Sequence, residues 1–183
     1  PVLTKAQEIG ADAVIVLAAG GSCVPIMEQF VDLGLQGQLY MVGACAADEV
    51  VAAAGDAAAT VIFNSEGTAD DANIEGDIFT DVIDLYADEP AGGAGTVGLR
   101  GFMNLYSLLV ELGPDAVTSA ALIDLIRSTD DRPSFAGHPY TCDGTPIPEL
   151  PSLCAPQQII AHYDGESFSQ ASETWIDVPA LVA

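Results

Sequence analysis

The stretch DAVIVLAAGGSCVPIMEQFVDLGLQGQLYMVGAC, residues 12–45, decides the fold of this chain. Its seven apolar residues Ala13 to Ala19 lie between Gly10 and Gly20-Gly21. An uninterrupted apolar run of that length predicts a strand buried on both faces. A helix should follow at once. Ser22 stands at its N-cap, Pro25 falls in the first turn where a missing N–H costs little, and Cys23, Ile26, Met27 and Phe30 recur at helical spacing. Gly34-Leu35 has the form of a left-handed C-cap with a trailing apolar contact, and Leu39 to Val42 supplies the next strand. Two parallel strands joined by a right-handed crossover are implied.

Working outward, Leu3 to Ile9 reads as the end of a helix entering the first strand through Gly10. On the other side, Ala46 to Ala54 reads as a short helix with Asp48 and Glu49 in its first turn, where the helix dipole favours acids, and Gly55 at its end. Thr60 to Phe63 is a third strand, so the first third of the chain is α/β with a parallel sheet. Ser65 to Asn73 reads as a polar loop, and Ile74, Ile78, Val82 and Tyr86 mark one face of a helix. The glycine-rich segment Asp88 to Gly98 reads as a linker. Beyond it, Leu99, Phe102, Met103, Tyr106, Leu109 and Val110 form an apolar stripe on a helix stopped by Gly113-Pro114, and a further helix follows the cap Thr118. From Ser134 the prolines 146, 148 and 151 exclude regular structure, until Gln157 to Tyr163 offers a strand and Asp164-Gly165 a turn.

Composition narrows the function classes. Four Lys+Arg against 27 Asp+Glu give a formal charge of -23, a field that repels nucleic acid and anionic lipid alike. Such self-repulsion is relieved by salt, so the melting temperature should rise between dilute buffer and molar salt; an unchanged or lower value would contradict this. Beginning at Pro1 without a charged or apolar leader, the chain reads as cut from something longer. Cys23, Cys45, Cys142 and Cys154 show neither CxxC nor zinc-finger spacing, which favours disulfides over a metal. Of three possible connectivities the local one, Cys23 to Cys45 and Cys142 to Cys154, is expected, because Cys23 and Cys45 both follow strands that would be neighbours about 4.8 Å apart. It implies an oxidising compartment. Four reduced, buried thiols are the alternative.

The order of these elements and the phrases DAVIVLAAGGSCVPIMEQFVDLGLQGQLYMVGACAADEV, AAGDAAATVIFNSEG, GLRGFMNLYSLLVELG, SFAGHPYTCDG and QQIIAHYDGESF resemble the trailing half of the branched-chain amino-acid type of ABC-transporter solute-binding protein. The resemblance covers nearly all of Leu3 to Phe168 and implies one lobe of a type I periplasmic-binding-protein fold, a three-layer open parallel sheet with helices on both faces. It implies three segments: a second-lobe domain over 1–95, a helical pair over 96–133 that packs on a first lobe, and a return segment over 134–183. It implies no catalysis and no cofactor. A small amino-acid-like or carboxylate solute would be captured between two lobes outside the cytoplasm and handed to a membrane permease. The partners are thus the solute, the permease and the first lobe, and the stripe from Leu99 to Val110 could drive self-association.

For the site, the resemblance points to the loops at the carboxyl ends of the strands, in agreement with the rule for open α/β sheets. The candidate ligand-binding residues are Ala19, Gly20, Gly21, Ser22, Gly43, Ala44, Glu66 and Arg100. Gly20 to Ser22 would present backbone N–H groups at a helix start, suited to an anion, although the same glycines serve a tight turn. In the family an aromatic residue often follows the first strand and an acid often occupies the next loop; here Ala19 and Gly43 stand in those places. Arg100, one of four cations, would grip an anion or pair with a carboxylate, and Glu66 would supply charge or stay solvated. His138 and His162 read as structural. Two other readings stand beside this one: a small secreted enzyme with Ser22 or Cys23 as nucleophile, and a receptor ectodomain of the same fold.

Overall fold

The structure, a computed structural model, describes residues 2–67, 74–86 and 93–182. The chain divides into two compact units, one of Pro1–Ser65, Gly92–Ala94 and Ile159–Thr174, the other of Glu66–Ala91, Gly95–Gln158 and Trp175–Ala183. A late strand joins the first unit, a pairing that no local pattern announces, and the helix over 74–86 belongs to the second.

In the first unit the chain runs α1 (Val2–Ile9), β1 (Ala13–Val16), α2 (Cys23–Asp32), β2 (Gln38–Val42), α3 (Asp48–Ala54) and β3 (Val61–Ser65), and returns as β4 (Ile159–Tyr163) and β5 (Phe168–Gln170). The sheet order is β1-β2-β3-β4-β5. The first three strands pair in parallel, with Val14 against Leu39 and Leu39 against Val61, while β4 and β5 are antiparallel. The class is the expected α/β one, but the sheet is mixed rather than wholly parallel. Periodicity identifies a strand without its direction, and β4 reaches β3 only through the fold.

One face of the sheet builds the core. Val14, Leu39, Met41, Val61 and Phe63 alternate inward and meet Leu3 of α1, Cys23, Met27 and Phe30 of α2, and Val51 and Ala54 of α3. The helical spacing of Cys23, Met27 and Phe30 therefore does bury one stripe. Gly34, at φ +63, ends α2 as expected: its N–H donates to Val31 O and that of Leu35 to Phe30 O, the paired bonds of a Schellman cap. Ser22 sits at the N-cap position but makes no side-chain cap bond, since a 3-10 turn over Gly20–Ser22 leads into the helix.

The expectation for Ala13 to Ala19 needs correcting. The strand stops at Val16, only Val14 is buried, and Ile15 and Leu17 are 75% and 84% exposed. β1 lies at the sheet edge, and α1, α2 and α3 share the opposite face, so a run of apolar residues here has one covered side. Among the described residues of this unit, the expected second helical layer is not found over Ile15 and Leu17. At the far edge, β4 and β5 form a hairpin through Asp164-Gly165, with Gly165 at φ +103. Asp164 Oδ1 accepts from the N–H groups of Ser167 and Glu166, which hold its carboxyl below the usual carboxylate range.

The second unit holds α4 (Ile74–Tyr86), most of α5 (Gly93–Leu112), α6 (Ser119–Arg127) and α7 (Val178–Val182). The expected linker over Asp88 to Gly98 is helical from Gly93 onward, and its earlier part lies outside the described residues, as does 68–73 of the expected loop. Gly113, at φ +73, stops α5, and Thr118 Oγ1 caps α6 by accepting from Ala121 N at 3.1 Å, both as expected. Between α6 and β4 the return segment carries no helix or strand. It is held by an Arg132–Tyr140 bridge with N···O distances of 2.9 and 2.8 Å and by the Cys142–Cys154 disulfide.

Candidate functional site

Both disulfides form with the expected local pairing, Cys23–Cys45 with its Cα atoms 5.5 Å apart and Cys142–Cys154 with 4.5 Å. Cys23 begins α2 and Cys45 ends the 3-10 turn Gly43–Cys45 that follows β2. The bond therefore fastens together the loops at the carboxyl ends of β1 and β2, and Cys45 Sγ lies 3.3 Å from Ala18 O. Ala19, Gly20, Gly21 and Ser22 are exposed, and Gly43 and Ala44 half-buried. Gly43 is there for a steric reason: a Cβ would stand 2.9 Å from Asn64 O at the end of β3. Within Gly20–Ser22 the backbone is partly committed to itself, Ser22 N donating to Ala19 O at 3.4 Å and Cys23 N to Gly20 O. Of the three N–H groups the sequence suggested for an anion, those of Gly20, Gly21 and Ser22, that of Ser22 is thus drawn into the turn. A disulfide-bonded Cys23 also has no thiolate to act as a nucleophile.

Glu66 and Arg100 lie in the second unit and are brought together there, Arg100 Nη1 standing 3.7 Å from Glu66 Oε2. That is too long for a charge-assisted hydrogen bond, normally about 2.7–2.9 Å. The Arg100 side chain is only 15% exposed and its Nε finds no hydrogen-bond partner among the described residues. Its place is made by glycines: a Cβ on Gly67 would strike the guanidinium, and one on Gly137 would lie 3.4 Å from Arg100 Cδ.

Around Arg100 the return segment is tied to α5. Asn104 donates through Nδ2 to Ser134 Oγ at 2.9 Å and accepts from Phe135 N at 2.8 Å, while Ala136 N donates to Glu75 Oε2 at 2.7 Å. Tyr140 is held by its backbone bridge to Arg132; it is 9% exposed and its hydroxyl also has no partner among the described residues. Burial pushes its phenol above the ordinary value, with Arg132 pulling it down and Glu111 pushing it up, so it remains a neutral donor at physiological pH. Arg100 and Tyr140 share a cavity of about 350 Å³ with Leu105, Leu108 and Ile126. Sequence reading singled out Arg100 but missed Tyr140 and Asn104, whose only advance signals were the phrases SFAGHPYTCDG and GLRGFMNLYSLLVELG that contain them.

The two histidines have local roles. His138 meets Trp175 edge-on at 5.3 Å with Nδ1 2.6 Å from Pro139 O, and His162 Nε2 is 3.2 Å from Ala59 O.

The parallel strand ends of the mixed α/β sheet open into short glycine-bearing loops, the usual place for a ligand in open α/β sheets, and the helical unit holds a mostly apolar cavity with a few polar residues. Residues 1–149 match the sequence model of the periplasmic binding protein family, and the chain belongs to that family. No curated protein sequence matches it. Among solved structures it is similar to a leucine binding protein of Thermotoga maritima, with TM-score 0.68 and 18% identity over 96% of this chain and 47% of that one. A branched chain amino acid ABC transporter protein of Thermus thermophilus with bound valine gives TM-score 0.69 and 17% identity over 94% and 48%. A solute binding protein of R. palustris in complex with benzoate gives 0.68 and 16% over 93% and 45%. At these identities the likeness establishes the fold. The chain spans about half the length of these relatives.

Proposed function

We propose that this chain belongs to the extracytoplasmic solute-binding component of an ABC importer, which captures a small amino-acid-like or carboxylate solute between two lobes and delivers it to a membrane permease. The observation that carries the reading is the family match over residues 1–149. Solved proteins of the same fold, a leucine binding protein, one with bound valine and one in complex with benzoate, support an amino-acid-like or carboxylate solute. Two disulfides support an oxidising compartment.

In this reading the loops Ala19 to Ser22 and Gly43 to Ala44 form one wall of the cleft, held in register by Cys23–Cys45. Solute binding would favour a closed arrangement over an open one, by the difference in its affinity for the two. The exposed residues of α5, Phe102, Tyr106 and Val110 at 60%, 53% and 60%, support a further packing surface there, for the first lobe or for a second copy of the chain.

The test is a thermal-shift screen of the full-length protein against amino acids, amides, small carboxylates and aromatic acids. At least one solute should stabilise it, by about 2.7 kcal/mol at a hundredfold excess over Kd. Folded full-length protein that answers to none of them would overturn the transport reading.

A further inference from the structure

We infer that the exposed face of α5 is where two copies of this chain pair, helix against helix and antiparallel across a twofold axis. Val97, Phe102, Leu105, Tyr106 and Val110 are between 40% and 60% exposed along it, and the Phe102 and Tyr106 rings stack at the surface with centroids 6.2 Å apart. A continuous apolar stripe of this kind marks a contact surface.

Charge narrows what can cover it. In a chain with 27 Asp+Glu, the twenty residues of α5 hold a single acid, Glu111, and it pairs with Arg132 Nη1 at 2.7 Å. The one cation of the helix, Arg100, keeps its side chain only 15% exposed. The stripe itself is therefore uncharged. A second copy brings the same formal charge of -23, so two copies approach closely only where neither presents an acid. A partner recognised by its charge would find nothing on this face to hold.

The spacing along the helix is self-complementary. Gly98, Phe102, Leu105 and Leu109 recur at intervals of four, three and four, the seam of a helix pair. A twofold axis level with the peptide bond between Met103 and Asn104 sets Phe102 of each copy opposite Leu105 of the other, and Gly98 opposite Leu109. Gly98 then gains a purpose that the single chain does not give it. A Cβ there would meet nothing within 4 Å and its φ is not left-handed, although glycine is among the poorest helix formers. Without a side chain at that point the second helix can come close, since the distance between helix axes follows the side chains at the contact. Gly101, beside the seam, is equally unexplained by the chain alone.

The pairing neither uses the strand-end loops nor rests on the solute reading. Sedimentation equilibrium of the 183-residue chain tests it. A dimer and no larger species should form, and its Kd should fall at least about tenfold between dilute and molar salt, as screening removes the repulsion between copies. Phe102→Glu, which brings like charges to the seam from both copies, should leave only monomer. Gly98→Leu should weaken the dimer at least about tenfold, while the melting temperature of the dilute chain stays level or rises because the new side chain enters open space. A glycine with a purely local role would instead lower the melting temperature and leave association alone. A chain that stays monomeric at both salt concentrations, open-ended association, or a dimer insensitive to both variants would overturn the proposal.

Discussion

Phe63→Ala should lower the stability of the protein by about 3–5 kcal/mol, the range for emptying a buried aromatic site. Phe63 is fully buried on β3, with Met41 beside it on β2 and Ala161 on β4. Its ring meets Phe168 edge-on at 5.8 Å, which ties the hairpin to the core of the first unit. Strand residues on both sides hold their positions through ladder hydrogen bonds, so the site cannot collapse to fill the void. Urea denaturation followed by circular dichroism reads the change. Ile15→Ala provides the contrast: at 75% exposure it should shift stability by about 0.5 kcal/mol or less. Comparable losses at both positions would show that the inward and outward faces have been assigned wrongly.

Removing the Cys23–Cys45 disulfide, with alanine at both positions, should cost about 3 kcal/mol. That is the loop-closure entropy for two cysteines 22 residues apart. The same bond should resist reduction in the native state, because both residues are fully buried and dithiothreitol reaches the sulfurs only when the core opens. Cys154, in contrast, is half-buried on a loop without helix or strand, so Cys142–Cys154 should be reduced first. Timed alkylation and mass spectrometry distinguish the two. Simultaneous reduction at equal rates would contradict the burial argument.

Functionally, the two disulfides act on different candidate surfaces. Cys23–Cys45 fixes the spacing of the loops that end β1 and β2, and Cys142–Cys154 closes one wall of the Arg100 cavity. Loss of the first should therefore disturb the solute capture proposed for the strand ends.

Much of this was legible in residues 12–45 because the signals there are local. Apolar runs, the spacing of Cys23, Met27 and Phe30, and glycines at φ +63 and +55 each constrain a few neighbouring residues, and together they set β1, α2, β2 and α3 in order. Local pairing of the cysteines followed from the same order. Directions and faces were decided elsewhere. Whether Ile15 is covered depends on what packs against the sheet, and whether β4 runs with or against β3 depends on a pairing about a hundred residues away in the chain, between Ser65 and Ile159. The glycines over 93–98 promised a linker, yet the helix Gly93–Leu112 runs through them despite a propensity cost of about 1 kcal/mol for each. The candidate site divides in the same way. Sequence alone marked Arg100 as a scarce cation and the strand-end loops as places where backbone is exposed. Only the tertiary structure set Tyr140 on the same cavity as Arg100, because no local rule relates residues forty apart in the chain.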